Sequence, residues 1–335
     1  MEDKNYRVSV VIPTFERPDL LQRCLYALTM QDLDPTEFEV IVVDDAACES
    51  TRQQVASWIE QTSADNYTFR YLPVTGVHGP AAARNLGWRA AVSDIIAFTD
   101  DDCLPCPEWL RAGLEAFADG VIGVSGKLIV PLDHTPNDYE HNAALLAKSE
   151  FITANCFYRR DALALVGGFD ERFTLAWRED SDLVFNLMET YFLQSGDRAL
   201  LVHAPQAAVV HPIRPASWNV SLHQQRKSQF NALLYKKHRR LYRQRIQPAP
   251  PFHYYGIVAL FLAALISLLV GLWAAALCAF ALWAFLTGRF CLRRLRSTSH
   301  ALLHILSMLV TSLLIPPLAI FWRIAGAIRF RVFFL

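Results

Sequence analysis

Three consecutive carboxylates, Asp100-Asp101-Asp102, follow the apolar run 95–99. Like charges this close raise one another's pKa unless something neutralises them. A divalent cation is the natural partner, since Mg²⁺ and Mn²⁺ take hard oxygen ligands and bind through one or two carboxylates together with substrate phosphate oxygens. At an extended strand end alternate side chains share a side, so Asp100 and Asp102 are expected to face together and Asp101 away. That geometry suits a cation bridging a diphosphate. A second acidic pair, Asp44-Asp45, ends the run 38–43, and a third, Glu179-Asp180, is followed closely by Asp182. Taken singly, each has an ordinary alternative: a solvated loop or a helix N-cap, which for Asp180 would contribute about 1 kcal/mol. Seven cysteines are scattered without the paired spacing of a disulfide framework or zinc site, and Cys103 with Cys106 forms only a lone C-x-x-C.

The elements that must position these acids alternate along the first hundred residues. Runs 8–12, 38–43, 69–72 and 95–99 are short, apolar and strand-like; 20–30, 49–61 and 80–91 read as helices, with Leu21, Leu25 and Leu28 on one face of the first. Continuous apolar strands alternating with helices predict an α/β fold whose parallel sheet is covered on both faces. Ligands of such sheets sit beyond the carboxyl ends of the strands, where both Asp44-Asp45 and Asp100–Asp102 fall. From 121 to 211 the pattern loosens into what reads as shorter strands and loops around a helix at 181–194.

Net charge is zero, but all 32 acidic residues lie at or before Asp197, where 15 Lys and Arg leave a balance of −17; the remaining 17 basic residues make the tail +17. Within that tail, 222–245 is basic and amphipathic, with Leu222, Phe230, Leu234 and Leu241 at helical spacing, and Pro248, Pro250 and Pro251 end it. Residues 254–288 are then uncharged, about 52 Å of helix at 1.5 Å per residue, barely enough for two crossings of a ~30 Å hydrocarbon core. A hairpin turning near Gly271 is expected. A second apolar run, 301–322, contains Pro316-Pro317; a re-entrant or interfacial segment broken at these prolines would keep Arg323, Arg329 and Arg331 inside with Arg289, Arg293, Arg294 and Arg296. Basic stretches also bind nucleic acid, but the adjoining apolar runs favour lipid. The start, MEDKNYRVSV, has no basic n-region or apolar h-region, so no signal peptide is expected. The expected organisation is a cytoplasmic catalytic domain at 1–221, a juxtamembrane segment at 222–251 and a membrane domain at 252–335.

The segments VSVVIPTFERPDL (8–20), VIVVDDA (40–46), GPAAARNLGWRAA (79–91), AFTDDDCLPCPEWL (97–110), TANCFYRRDALALVGGFDERF (153–173) and WREDSDL (177–183) stand in one order at compact spacing. Together, over about residues 6–240, they resemble the family 2 glycosyltransferases. The resemblance implies a GT-A fold and an inverting, Mn²⁺- or Mg²⁺-dependent transfer from a nucleotide sugar, with a uridine diphosphate sugar as the expected donor. It implies that Pro13 and Asp44 contact the base with Asp45 alongside, and that Arg84 contacts the donor. Asp100 and Asp102 would form the D-x-D pair, the first near the ribose and the second on the metal. Asp180 would be the general base, and His211 would help hold the metal or diphosphate, with His203 as the other histidine available. Ala46-Ala47-Cys48 departs from the Gly-Ser common after the aspartates, which leaves base identity open. Gln224-Gln225-Arg226 does not make the Q-x-x-R-W of processive synthases, so single additions are expected.

A membrane domain beside such an enzyme implies a membrane-associated acceptor, such as a lipid-linked glycan, a glycolipid or a polyprenyl phosphate, and a place in cell-envelope polysaccharide assembly. A nucleotidyltransferase would also use acids on an α/β sheet, but no G-x-G-T-R loop follows the first strand. A non-catalytic membrane scaffold of the same fold would not need Asp102 and Asp180.

Overall fold

The structure, a computed structural model, describes residues 6–196 and 200–334. Its first half alternates β1 (Val8–Thr14), α1 (Pro18–Thr29), β2 (Phe38–Asp44), α2 (Glu49–Thr62), β3 (Thr68–Pro73), α3 (Pro80–Ala90) and β4 (Ile95–Phe98). These follow the expected runs, because strands whose every residue is buried, such as β2, can lie only inside a covered sheet. Then come β5 (Leu104–Pro105), α4 (Trp109–Glu115), β6 (Val121–Ile129), α5 (Asp138–Ala144), β7 (Cys156–Arg159), α6 (Arg160–Val166), α7 (Glu179–Ser195) and β8 (Leu200–Val210).

Among the described residues the sheet has eight strands in the order β3-β2-β1-β4-β7-β6-β8-β5. Pairings β1–β2, β2–β3, β1–β4 and β6–β8 are parallel; β4–β7, β6–β7 and β5–β8 are antiparallel. The sheet is therefore mixed. Strands β6 and β8 have 9 and 11 residues, longer than the short strands expected there. Register shifts at Val121/Gly123 and Gly126/Lys127 interrupt the two-residue alternation by which a strand is read. Asn155 spans the second irregularity, its amide donating to the carbonyls of Lys127 and Ala207 while its oxygen accepts from the Trp109 indole.

One face of the sheet buries Val8, Val10 and Ile12 against Leu21, Leu25 and Leu28 of α1 and Val55 and Trp58 of α2. The other receives α3. Gly87 allows its close approach: a Cβ there would lie 2.3 Å from Cγ1 of Val11 and 3.0 Å from Cγ2 of Val43.

The chain divides into two units. One runs to Pro131 and resumes over Leu145–Pro212; the other joins Leu132–Ala144 to everything from Ile213 on. The expected boundary at 221 thus lies inside the second unit, which also takes an excursion from between β6 and β7. In this unit the basic stretch is not one helix but α8 (Val220–Gln224), a 3-10 turn (Gln225–Gln229), α9 (Phe230–Lys237) and α10 (Arg239–Arg245). Two apolar helices follow, α11 (Phe252–Leu269) and α12 (Trp273–Leu295), and then α13 (Leu302–Arg329).

All three are long and apolar enough to cross a membrane. The turn between the first two is a glycine cap: Gly271 has φ +77°, its N–H donates to Leu268 O, and Leu272 N–H donates to Ser267 O. The break expected at Pro316-Pro317 does not occur, and both prolines lie within α13. Apolar helices tolerate proline where neighbouring helices and hydroxyl side chains surround the freed carbonyls. The carbonyl left by Pro316 is that of Ser312, on the buried face of α13 beside Thr311.

Gly87→Ala should lower stability by about 1–3 kcal/mol through overpacking, even though alanine favours helix by roughly 1 kcal/mol. The measurement is the apparent Tm of the detergent-solubilised protein; an unchanged or raised Tm would show that α3 does not need this close approach.

Candidate active site

The carboxyl ends of β1, β2 and β4 meet the first turns of α3 and α7 at one rim, and the expected site residues gather there. Their side chains do not all face the same way. Asp44 ends β2 fully buried, its oxygens accepting from Ala46 N–H, Cys48 N–H and the Tyr71 hydroxyl at 3.0, 2.8 and 3.0 Å. It thereby folds the Ala46-Ala47-Cys48 loop back onto the strand; burial, and then this bond, push the Tyr71 hydroxyl up to about 12. Asp45 accepts from the Gly79 N–H at 2.9 Å and pairs with His78 Nδ1 at 3.0 Å. A carboxylate is favoured at the start of α3, where unpaired N–H groups and the helix dipole meet it. Gly79 is in place because its φ is +118° and the Thr174 carbonyl lies 3.1 Å from where a Cβ would stand.

The acidic triplet does not alternate as an extended strand would. Strand β4 ends at Phe98 and the three aspartates enter a turn closed by Cys103 N–H on Asp100 O. Asp100 turns to Arg84, whose Nη2 donates to it at 2.7 Å. Asp101, expected to point away, turns inward to accept from Thr14 at 2.8 Å and Arg17 at 3.3 Å. Asp102 turns to His211, with Nε2 3.6 Å from its Oδ1.

Arg84, on α3, is the buried hub. Its Nη1 donates to Glu179 at 3.2 Å, and the guanidinium stands 5.9 Å from the Phe169 ring. Burial works against its charge, but Asp100 and then Glu179 outweigh that, holding it above the ordinary arginine value. Burial pushes the Glu179 carboxyl up, against the pull of Arg84 and with Asp180 adding to the rise. Among the described residues, neither Arg84 Nε nor Glu179 Oε2 has a hydrogen-bond partner.

Asn85, the next residue along, exchanges hydrogen bonds with the backbone of Phe169. That contact binds the Gly167-Gly168 turn to α3, and Gly168, at φ +78°, leaves no room for a Cβ beside Asn85 Oδ1. Asp180 sits in the first turn of α7, half-buried, accepting from Ser181 N–H at 2.6 Å. Pro13 lies in β1, half-buried beside Val43.

Ligand atoms of Asp102, Cys103 and His211 lie within 4.8 Å of one another. A carboxylate and an imidazole fit Mn²⁺ or Mg²⁺ completed by waters and phosphate oxygens. Cys103 is buried, which raises its thiol, and at 3.9 Å from Asp102 Oδ1 it backs the carboxylate. Asp100, expected beside Asp102 at the cation, accepts from Arg84 through Oδ1. His211 follows the end of β8, where Val210 pairs with Leu104, whereas His203 sits mid-strand opposite Ser125, away from the rim. Sequence reasoning passed over Arg17, Thr14 and Glu179 as site residues; only Glu179 carried a signal, as Asp180's neighbour.

The Glycosyl transferase family 2 model matches residues 9–177, and the Glycosyl transferase family group 2 model matches residues 95–287. The chain is 29% identical over 172 residues to a glycosyltransferase, AglE, of Haloferax volcanii, covering 48% of this chain and 55% of that one. It is 31% identical over 229 residues to the pre-mycofactocin glycosyltransferase of Mycobacterium tuberculosis, covering 62% and 43%. It thus spans about half the length of these relatives. Among solved structures it is similar to the mannosyltransferase PcManGT of Pyrobaculum calidifontis in complex with GDP-Man and Mn²⁺. The TM-score is 0.55 at 19% identity, covering 98% of this chain and 88% of the other. At that identity the likeness shows a shared fold, the GT-A arrangement.

Burial raises Asp101 to about 6, against about 3.9 in an unfolded chain. Its protonated form therefore stabilises the fold below about pH 4, and this contribution is lost as pH rises through about 6. In EDTA, Asp101→Asn should gain stability over wild type by on the order of 2 kcal/mol between pH 4 and 6. A difference in apparent Tm that stays constant over this window would contradict the assignment.

Proposed function

Because the chain belongs to glycosyl transferase family 2, we propose that it is an inverting, metal-dependent glycosyltransferase that adds single sugars from a nucleotide-sugar donor to a membrane-associated acceptor. The observation that carries this reading is the rim itself. Asp102 stands with His211 on one side of the acidic turn, the Arg84–Asp100–Glu179 cluster on the other, and Asp180 on the turn of α7 that begins at Glu179.

Asp102 and His211 would hold Mn²⁺ or Mg²⁺, which when bound offsets the charge that develops on the departing diphosphate. Arg84, through Asp100, fixes that side of the donor pocket. Asp180 is assigned the acceptor proton: as the hydroxyl oxygen forms its bond to the anomeric carbon from the face opposite the leaving diphosphate, the carboxylate takes the proton. Pro13, Asp44 and Asp45 shape the nucleotide end, Asp44 and Asp45 by fixing the loop after β2 and the start of α3. The similarly folded mannosyltransferase crystallised with GDP-Man and Mn²⁺ supports this donor class, and a uridine diphosphate sugar is the first to test.

The acid-free tail supports a catalytic domain on the cytoplasmic side of a membrane, which points to a lipid-linked glycan, glycolipid or polyprenyl phosphate as acceptor. The test is a panel of nucleotide sugars with Mn²⁺ or Mg²⁺ and a membrane lipid extract. Wild type should transfer sugar and Asp102→Ala should not. Asp180→Asn should lower the rate by about 10²–10⁴-fold if the acceptor is a hydroxyl, and only mildly if it is a lipid phosphate, which needs no deprotonation. Equal turnover by Asp102→Ala would overturn the metal assignment; pyrophosphate release from a nucleoside triphosphate, with no sugar transferred, would overturn the reaction class.

A further inference from the structure

Helix α13 is long enough to cross a bilayer, but its surroundings are wrong for a crossing. Its polar and small residues face inward: Ser307, Thr311, Ser312, Arg323 and Gly326 are buried, while Leu306, Leu309, Leu313, Phe321, Ile324 and Ile328 form an exposed stripe at helical spacing. An apolar face turned outward is made for lipid. The buried face shows how the helix lies.

Ser307 Oγ donates to the Trp218 carbonyl at 3.1 Å. Some 19 residues further on, Gly326 packs so closely on Gln229 that a Cβ would stand 2.3 Å from its carbonyl oxygen. Arg329 donates to the Gln229 side chain at 2.9 Å, and Lys236 Nζ donates to Phe330 O at 2.8 Å. The segment from Trp218 to Lys236 therefore accompanies α13 for about 33 Å of its axis at 1.5 Å per residue. That would span the whole of a roughly 30 Å hydrocarbon core. The segment carries His223, Gln224, Arg226 and Lys227, includes a 3-10 turn and exposes His223, Gln224 and Arg226. Lipid-exposed irregular backbone and cations are not found at such depth.

The helical hairpin gives the same answer independently. Helices α11 and α12 are antiparallel neighbours joined by the turn at Gly271, so their feet share one membrane surface. Both feet meet α13 along its length. Arg294, in the last turn of α12, pairs with Asp138 at 2.7 Å and donates to Thr311 and Ser312 at 2.8 and 2.9 Å. Gln247, five residues before α11, accepts from Arg323 at 3.1 Å. Thr311 and Arg323 are about 18 Å apart along the axis. Arg294 ends α12 and Gln247 precedes α11 on the same side of the hairpin, so contacts about 18 Å apart on α13 fit a helix lying along the surface.

We infer that the second unit is a two-helix transmembrane hairpin standing on a helix, α13, that lies in the membrane–water interface and beds its Leu306–Ile328 stripe into the lipid surface. Anionic lipid is the matching partner: the chain from Arg198 on is acid-free, and Arg226, Lys236, Arg239 and Arg240 are exposed in the same unit. The chain then crosses twice, and its last residues return to the side from which it enters the hairpin. This rests on the proposed membrane association but not on the transferase chemistry.

Two measurements test it on the full chain in sealed phosphatidylcholine vesicles containing anionic lipid. Epitope tags before Met1 and after Leu335 should be cleaved together by an impermeant protease, or protected together; opposite behaviour means three crossings and overturns the inference. Nitroxides on Leu302→Cys, Leu313→Cys and Ile328→Cys, all at exposed positions, should report one shared depth of about 5–10 Å, with the unsubstituted chain as background. A deep Leu313 between two shallow ends overturns a surface helix, whether α13 crosses or re-enters. Failure to float with vesicles removes the membrane reading itself, while sugar transfer to a soluble acceptor would leave the family chemistry standing.

Discussion

Arg84 is a single buried guanidinium between Asp100, at the turn after β4, and Glu179, at the first turn of α7. Burying any one of these charges alone would be strongly unfavourable; paired and hydrogen-bonded, they tie α3, β4 and α7 into one rim. The rest of the site depends on that tie. It commits Asp100 to the arginine and leaves Asp102 to meet His211, and it fixes the turn on which Asp180 stands. Asp45 holds the start of the same helix, and Asn85 fastens it to the Gly167-Gly168 turn. The acidic triplet is thus tolerated by division: one carboxylate goes to Arg84, one to Thr14 and Arg17, and one faces His211.

The second unit solves the opposite problem. Around its long apolar helices polar groups turn inward, Arg294 with Asp138 and the hydroxyls of Thr311 and Ser312, while Leu306, Leu313 and Ile328 turn outward. Each unit is consistent with a different surrounding, the first with water and a nucleotide, the second with lipid. The second unit holds acids only in its 132–144 excursion, Asp133, Asp138 and Glu140, and Asp138 is paired with Arg294.

Much of this was legible in the sequence because it depends on local pattern. Apolar runs marked β1 to β4, a glycine in an uncharged stretch marked the hairpin turn, and the ordered acidic motifs marked the rim. What was not legible depends on where an element stops or on a distant partner. Strand β4 ends at Phe98, four residues before Asp102, so the triplet does not alternate and Asp101 turns inward rather than out. The shifted registers of β6 and β8 hid two long strands. Pro316-Pro317 reads as a break by itself but sits inside a continuous helix, and nothing local announces that 132–144 packs with residues far along the chain, as in the Asp138–Arg294 pair.

In the proposed mechanism the donor diphosphate would be held through a cation at Asp102 and His211. Electron spin echo modulation of Mn²⁺ bound with a nucleoside diphosphate reads this directly, because imidazole nitrogen on the metal leaves its own modulation. The wild-type protein and His203→Ala should both show that nitrogen signal and His211→Ala should lose it; a signal that survives in His211→Ala would contradict the claim.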